Sequence, residues 1–112
     1  MNDKDYKSLL KDLAALSIKE KEELLERLRN DMDNIDEKIA LLLSERTGYS
    51  IMVGRVKRSL NLPTYSPERE REISKRIKKF IHEPLKDSAL IRIYERILDE
   101  SRAVQKNDKT EE

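Results

Sequence analysis

The sequence predicts an all-α fold: a three-helix protomer with a long first helix, intertwined as a homodimer. Three observations carry that prediction. Two Gly, three Pro and one Phe in 112 residues leave little turn chemistry and few β-rich stretches. No Pro falls between Ser17 and Pro63, and apolar residues recur there at alternating intervals of four and three. That spacing marks a helix packed along a seam. Charged residues reach 42%, far above the roughly 25% of ordinary globular chains. Yet 29 of the 112 residues are Leu, Ile, Val or Phe, more than the roughly 20% below which a charged chain stays disordered.

The elements follow in order. Ser17-Ile18-Lys19-Glu20 spells a capping box, with Ser17 as N-cap and Glu20 reaching back to it. The seam then runs through Leu28, Met32, Ile35, Ile39, Leu42, Tyr49, Val53 and Val56. A helix over about 18–60 is about 60 Å long at 1.5 Å per residue. Residues 61–66 connect it to the next helix, which starts with Ser66 as N-cap and Pro67 at the first helical position. Ile73, Ile77, Phe80 and Ile81 supply its buried stripe, and His82-Glu83-Pro84 closes it. Asp87 or Ser88 caps the third helix, whose stripe is Leu90, Tyr94, Ile97, Ser101 and Val104. Ahead of the capping box, Tyr6, Leu9, Leu10, Leu13 and Leu16 mark a short docking helix. The organisation is thus an N-terminal helical extension over 1–20, one domain over 21–106 and a flexible polar tail over 107–112.

Length decides the assembly. Helices of about 15 and 20 residues leave much of a 60 Å seam uncovered, and soluble monomers avoid apolar patches of that size. A second copy with interleaved helices is the expected remedy, an obligate homodimer.

Composition excludes several functions. No apolar run approaches the ~18–20 residues of a membrane span, and Met1 to Lys7 is too polar for a signal peptide. A cytoplasmic protein without membrane contact is expected. Zero Cys and a single His82 leave no thiol nucleophile, no Cys- or His-based metal cluster and no Ser/His pair, and no metal is expected. Lys75-Arg76-Ile77-Lys78-Lys79 is basic, but Glu68, Glu70 and Glu72 precede it and the net charge is only +1. It reads as a solvated face, with no nucleic-acid partner. No Gly-rich phosphate loop occurs, and no cofactor is expected.

Polar residues on apolar stripes point to a pocket instead. Arg46 falls on the first seam, where an unpaired Arg is costly. Lys57 lies eleven residues on, which returns it to within about 20° of the same face. Ser101 occupies a stripe position on the third helix, with Gln105 one turn further. Arg69 and Glu70 border the start of the second stripe. Each helix contributes polar groups to an apolar interior with surplus positive charge, a pocket for a compact dianion inside a bundle.

The spacing of these groups resembles the all-helical chorismate mutases of the stand-alone, intertwined-dimer type. It runs Leu28-Arg29, Ile35-Asp36, Leu42-Leu43-Ser44-Glu45-Arg46, Val53-Gly54-Arg55-Val56-Lys57, Tyr65-Ser66-Pro67-Glu68-Arg69-Glu70, Asp99-Glu100-Ser101 and Gln105. The match covers about 22–106. It implies rearrangement of chorismate to prephenate, at the head of phenylalanine and tyrosine biosynthesis, in two pockets shared between the subunits of a dimer. Arg46, and Arg29 from the partner chain, would clamp the carboxylates with Ser101 assisting. Lys57 and Gln105 would donate to the ether oxygen of the breaking bond. Glu70 would accept from the ring hydroxyl, with the backbone at Ser66 beside it, and Arg69 would add charge near a carboxylate or order that wall. Ser66 departs from the Asp common in the family. Two other functions compete. An isochorismate-pyruvate lyase shares the scaffold, but such relatives tend to carry an apolar residue in place of Glu70 and a bulky one in place of Ser101. A noncatalytic helical interaction module explains the seam but gives no reason for Arg46 and Ser101 on apolar stripes.

Overall fold

A computed structural model describes residues 12–108. Three α-helices account for most of them: α1 (Ile18–Ser59), α2 (Pro67–Ile77) and α3 (Asp87–Asn107). Single 3₁₀ turns lie at Leu13–Ala15 and Lys78–Phe80, and there is no strand among the described residues. No helix among them is long and apolar enough to cross a membrane. The chain divides into two units, residues 1–42 and 43–112.

In the first unit the capping box forms reciprocally. The Ser17 N–H donates to Glu20 Oε1 at 3.0 Å, and the Glu20 N–H donates to Ser17 Oγ at 3.2 Å. The bond from the Ser17 N–H first, and the Ser17 side chain second, hold the Glu20 carboxyl below its ordinary pKa. The docking helix expected ahead of it lies mostly outside the described residues, and Leu13 within the 3₁₀ turn is exposed. Leu24 and Leu28 are half-buried. Beyond them the apolar positions Met32, Ile35, Ile39 and Leu42 are exposed, Met32 by 60% and Leu42 by 63%.

In the second unit α1 ends on a left-handed residue. Asn61 has φ 58°, and the N–H groups of Leu62 and Asn61 donate to the carbonyls of Lys57 (2.8 Å) and Arg58 (3.0 Å). This is the Schellman pattern, with Asn taking the place usually held by Gly because its short polar side chain tolerates that conformation. The turn reverses the chain toward α2, where Ser66 is the N-cap. Its hydroxyl accepts from the Arg69 N–H at 3.2 Å, and Pro67 opens the helix.

Two expectations are corrected. The second helix leaves α geometry at Ile77 and passes into a 3₁₀ turn, so the 3.6-residue period no longer applies at Phe80, which is 66% exposed rather than part of a buried stripe. The third helix has Lys86 at its N-cap, without a side-chain cap; Asp87 is instead the first helical residue, where its charge complements the helix dipole. Within this unit α2, α3 and the turn between them touch one another. Leu98 on α3, 7% exposed, is the one buried hydrophobic side chain among the described residues. Asn107 is still helical, and Asp108 is clasped by Arg55 and Arg58 at 3.1 Å each.

Candidate active site

Arg46, Ser50, Val53 and Lys57 repeat at intervals of four, three and four along α1, so they share one face. Together with the start of α2 and the last turns of α3, that face lines an open-mouthed cavity of about 260 Å³. Seven of the eight residues expected at a site line it: Arg46, Lys57, Ser66, Arg69, Glu70, Ser101 and Gln105. Arg29 does not line it; it is an exposed residue of α1 within the first unit. Val53, Ile73 and Leu98 give the cavity apolar wall.

Hydrogen bonds orient the donors. Lys57 Nζ donates to the Thr64 carbonyl at 3.0 Å, which leaves two of its three N–H bonds for a ligand. Gln105 Nε2 donates to the Ser50 carbonyl at 2.9 Å. A carbonyl only accepts, so this contact fixes which end of the amide is nitrogen and keeps its second N–H free. The Ser50 and Ser101 hydroxyls bond each other between α1 and α3. Arg46 is half-buried, and its side chain has no hydrogen bond or ion pair among the described residues. Arg69 is more exposed and pairs with Glu72 at 3.2 Å.

Gly54 lets α1 approach α3 here. A Cβ at that position would lie 3.1 Å from Gln105 Cγ and 3.3 Å from Gln105 Cβ, tighter than ordinary packing. Gly48, by contrast, has nothing within 4 Å of a Cβ, and no packing requirement explains it. Arg58 adds a 3.5 Å bond to the Gln105 carbonyl while it holds Asp108, so the end of α3 that carries Gln105 is tied to α1.

Four lining residues escape sequence reasoning: Ser50, Thr64, Leu98 and Arg102. Ser50 sits between Arg46 and Lys57 at helical spacing, and that spacing was the available signal. Arg102 follows Ser101 and donates from Nη1 to Glu70 and from Nη2 to Asp99, beneath which the Tyr65 ring lies 5.5 Å from the guanidinium. The bond to Glu70, first, raises the Arg102 pKa above its ordinary value. Four cations, Arg46, Lys57, Arg69 and Arg102, thus face one carboxylate, Glu70, around the cavity. Such a surplus suits a small dianion, and the neutral donors Ser101 and Gln105 add direction without charge.

Comparison with known proteins decides the family. Residues 28–106 match the family model described as chorismate mutase type II. The chain belongs to the type II chorismate mutase family. It is 35% identical over 85 residues to the chorismate mutase of Methanocaldococcus jannaschii, covering 75% of this chain and 86% of that one. It is 37% identical over 91 residues to the bifunctional chorismate mutase/prephenate dehydratase of Aquifex aeolicus. That match covers 78% of this chain but spans only 25% of the Aquifex protein. The chorismate mutase structure (form II) from Thermus thermophilus superposes with a TM-score of 0.74 at 27% identity, over 77% of this chain and 98% of that one. Every cavity-lining residue of this chorismate mutase family member lies within the matched span.

The Gln105 amide offers a direct test of its expected role. In Gln105→Glu, an ionised carboxylate would face the Ser50 carbonyl and could donate to nothing. Once protonated it recovers a donor, so activity on chorismate is expected to shift toward acid relative to the parent. A pH–rate profile that keeps its shape and height would remove Gln105 from the reacting bond.

Proposed function

We propose that this chain catalyses the Claisen rearrangement of chorismate to prephenate, in phenylalanine and tyrosine biosynthesis. The observation that carries the proposal is the cavity itself, where Lys57 and Gln105 each keep a free N–H beside an unpaired Arg46 in a chain of this family. The rearrangement is unimolecular and calls for no nucleophile, metal or general base. Its catalyst must hold the compact chair-like conformer and stabilise charge developing on the ether oxygen, through positioning and preorganised electrostatics. Arg46 clamps a carboxylate with Ser101 assisting. Lys57 and Gln105 donate to the ether oxygen. Glu70 accepts from the ring hydroxyl, the Ser66 backbone lies beside it, and Arg69 adds positive charge at that wall. Incubation with chorismate and, separately, isochorismate tests the proposal. Prephenate from the first supports it; pyruvate from the second, with no prephenate, overturns it in favour of the lyase.

The same proposal includes a homodimer in the cytoplasm whose partner chain supplies Arg29. Exposed apolar positions support the pairing. They include Met32, Ile35, Ile39 and Leu42 in the first unit, and Tyr49, Val53 and Val56 in the second. Apolar faces of this extent are stable in water only when covered. Dilution is therefore expected to couple dissociation to unfolding, giving a melting temperature that falls with protein concentration. A well-folded monomer in sedimentation at micromolar concentration would overturn the dimer.

A further inference from the structure

Glu70 on α2 carries a negative charge into a cavity otherwise suited to an anion. Both of its carboxylate oxygens accept from Nη1 of Arg102 on α3. The Arg102 guanidinium is in turn held from two other sides. Asp99, one turn earlier on α3, accepts from Nη2, and the Tyr65 ring lies under its face at 5.5 Å. An Arg planar fork fixed by two acids and an aromatic ring has little freedom left, and what it grips is fixed with it. Arg102 also lines the cavity, so this contact forms part of the wall rather than a tie on the outer surface.

We propose that Arg102 is a positioning residue for Glu70, an inference that rests on chorismate being the substrate. A carboxylate offers about four lone-pair sites. Arg102 occupies one on each oxygen and leaves the others to accept a ring hydroxyl. Its positive charge also offsets that of Glu70, which would otherwise repel a dicarboxylate entering the cavity. Arg102 touches neither reacting bond; it acts through Glu70 on how well the substrate is held.

A double-mutant cycle separates this role from a simple brace between helices. In Arg102→Met, KM for chorismate is expected to rise ~tenfold or more while kcat stays within about threefold. In a Glu70→Gln background the same substitution should change kcat/KM by less than about threefold, because no carboxylate remains to be aligned or offset. Arg102→Lys should recover part of the KM, since it restores charge without the planar fork. If Arg102→Met does not fold, Arg102→Lys serves for the same comparison in both backgrounds. Equal losses with and without Glu70, or a loss confined to kcat, would overturn the assignment. A parent enzyme that forms no prephenate would overturn the substrate as well, so the two failures are told apart by the parent alone.

Discussion

Lys57→Ala is expected to lower kcat on chorismate by on the order of 100-fold or more, the usual size when one preorganised donor to a developing negative charge is removed. The expectation rests on how the amine is held. The Schellman turn at Asn61 folds the chain back after α1, and the Thr64 carbonyl that follows accepts from Lys57 Nζ at 3.0 Å. One bond anchors the ammonium and two N–H bonds remain for a ligand, in the proposed mechanism its ether oxygen. Because the anchor is a single hydrogen bond at a half-exposed site, its loss should cost only about 1.5 kcal/mol of stability, the low end for a bond from a charged group. The variant should therefore melt close to the parent while turning over far more slowly. Steady-state kinetics beside a thermal melt checks both halves. A melt that collapses with kcat largely kept would make Lys57 a structural residue.

What the sequence disclosed was what helical geometry alone determines. The Ser17–Glu20 box and the Ser66-Pro67 start are written in three or four adjacent residues, and both form as spelled. Arg46 and Lys57, or Ser101 and Gln105, share a face because their spacing fits 3.6 residues per turn, and the cavity brings all four together. The rest depended on which surfaces meet. Nothing in the run Ser101-Arg102-Ala103 says that Arg102 faces a carboxylate 32 residues earlier in the chain. Gly54 has a packing reason only when α3 sets Gln105 against it. Asp108 follows the last helical residue, within a stretch that composition marks as a polar tail, yet it meets Arg55 and Arg58 on α1. Phe80 fits an apolar stripe by periodicity, but a chain that leaves α geometry at Ile77 no longer obeys that period.

Arg29→Ala and Arg46→Ala should each be nearly inactive alone and should restore each other when mixed. Both lie on α1, seventeen residues apart, which is about 25 Å of helical rise. No ligand of chorismate size touches both from one chain, so in the proposed dimer Arg29 reaches the partner's cavity. Unfold the two variants together and refold them in equal amounts. In a mixed dimer, the cavity built on the Arg29→Ala chain keeps its own Arg46 and receives an intact Arg29 from the other chain. The second cavity lacks both. Random pairing makes half of the dimers mixed, each with one complete site of two, so about a quarter of parental activity should return. The two variants refolded separately and then combined, without exchange, should stay inactive. A co-refolded mixture as inactive as its components would mean that the cavity draws no Arg29 from a second chain, and the shared site would be lost with it.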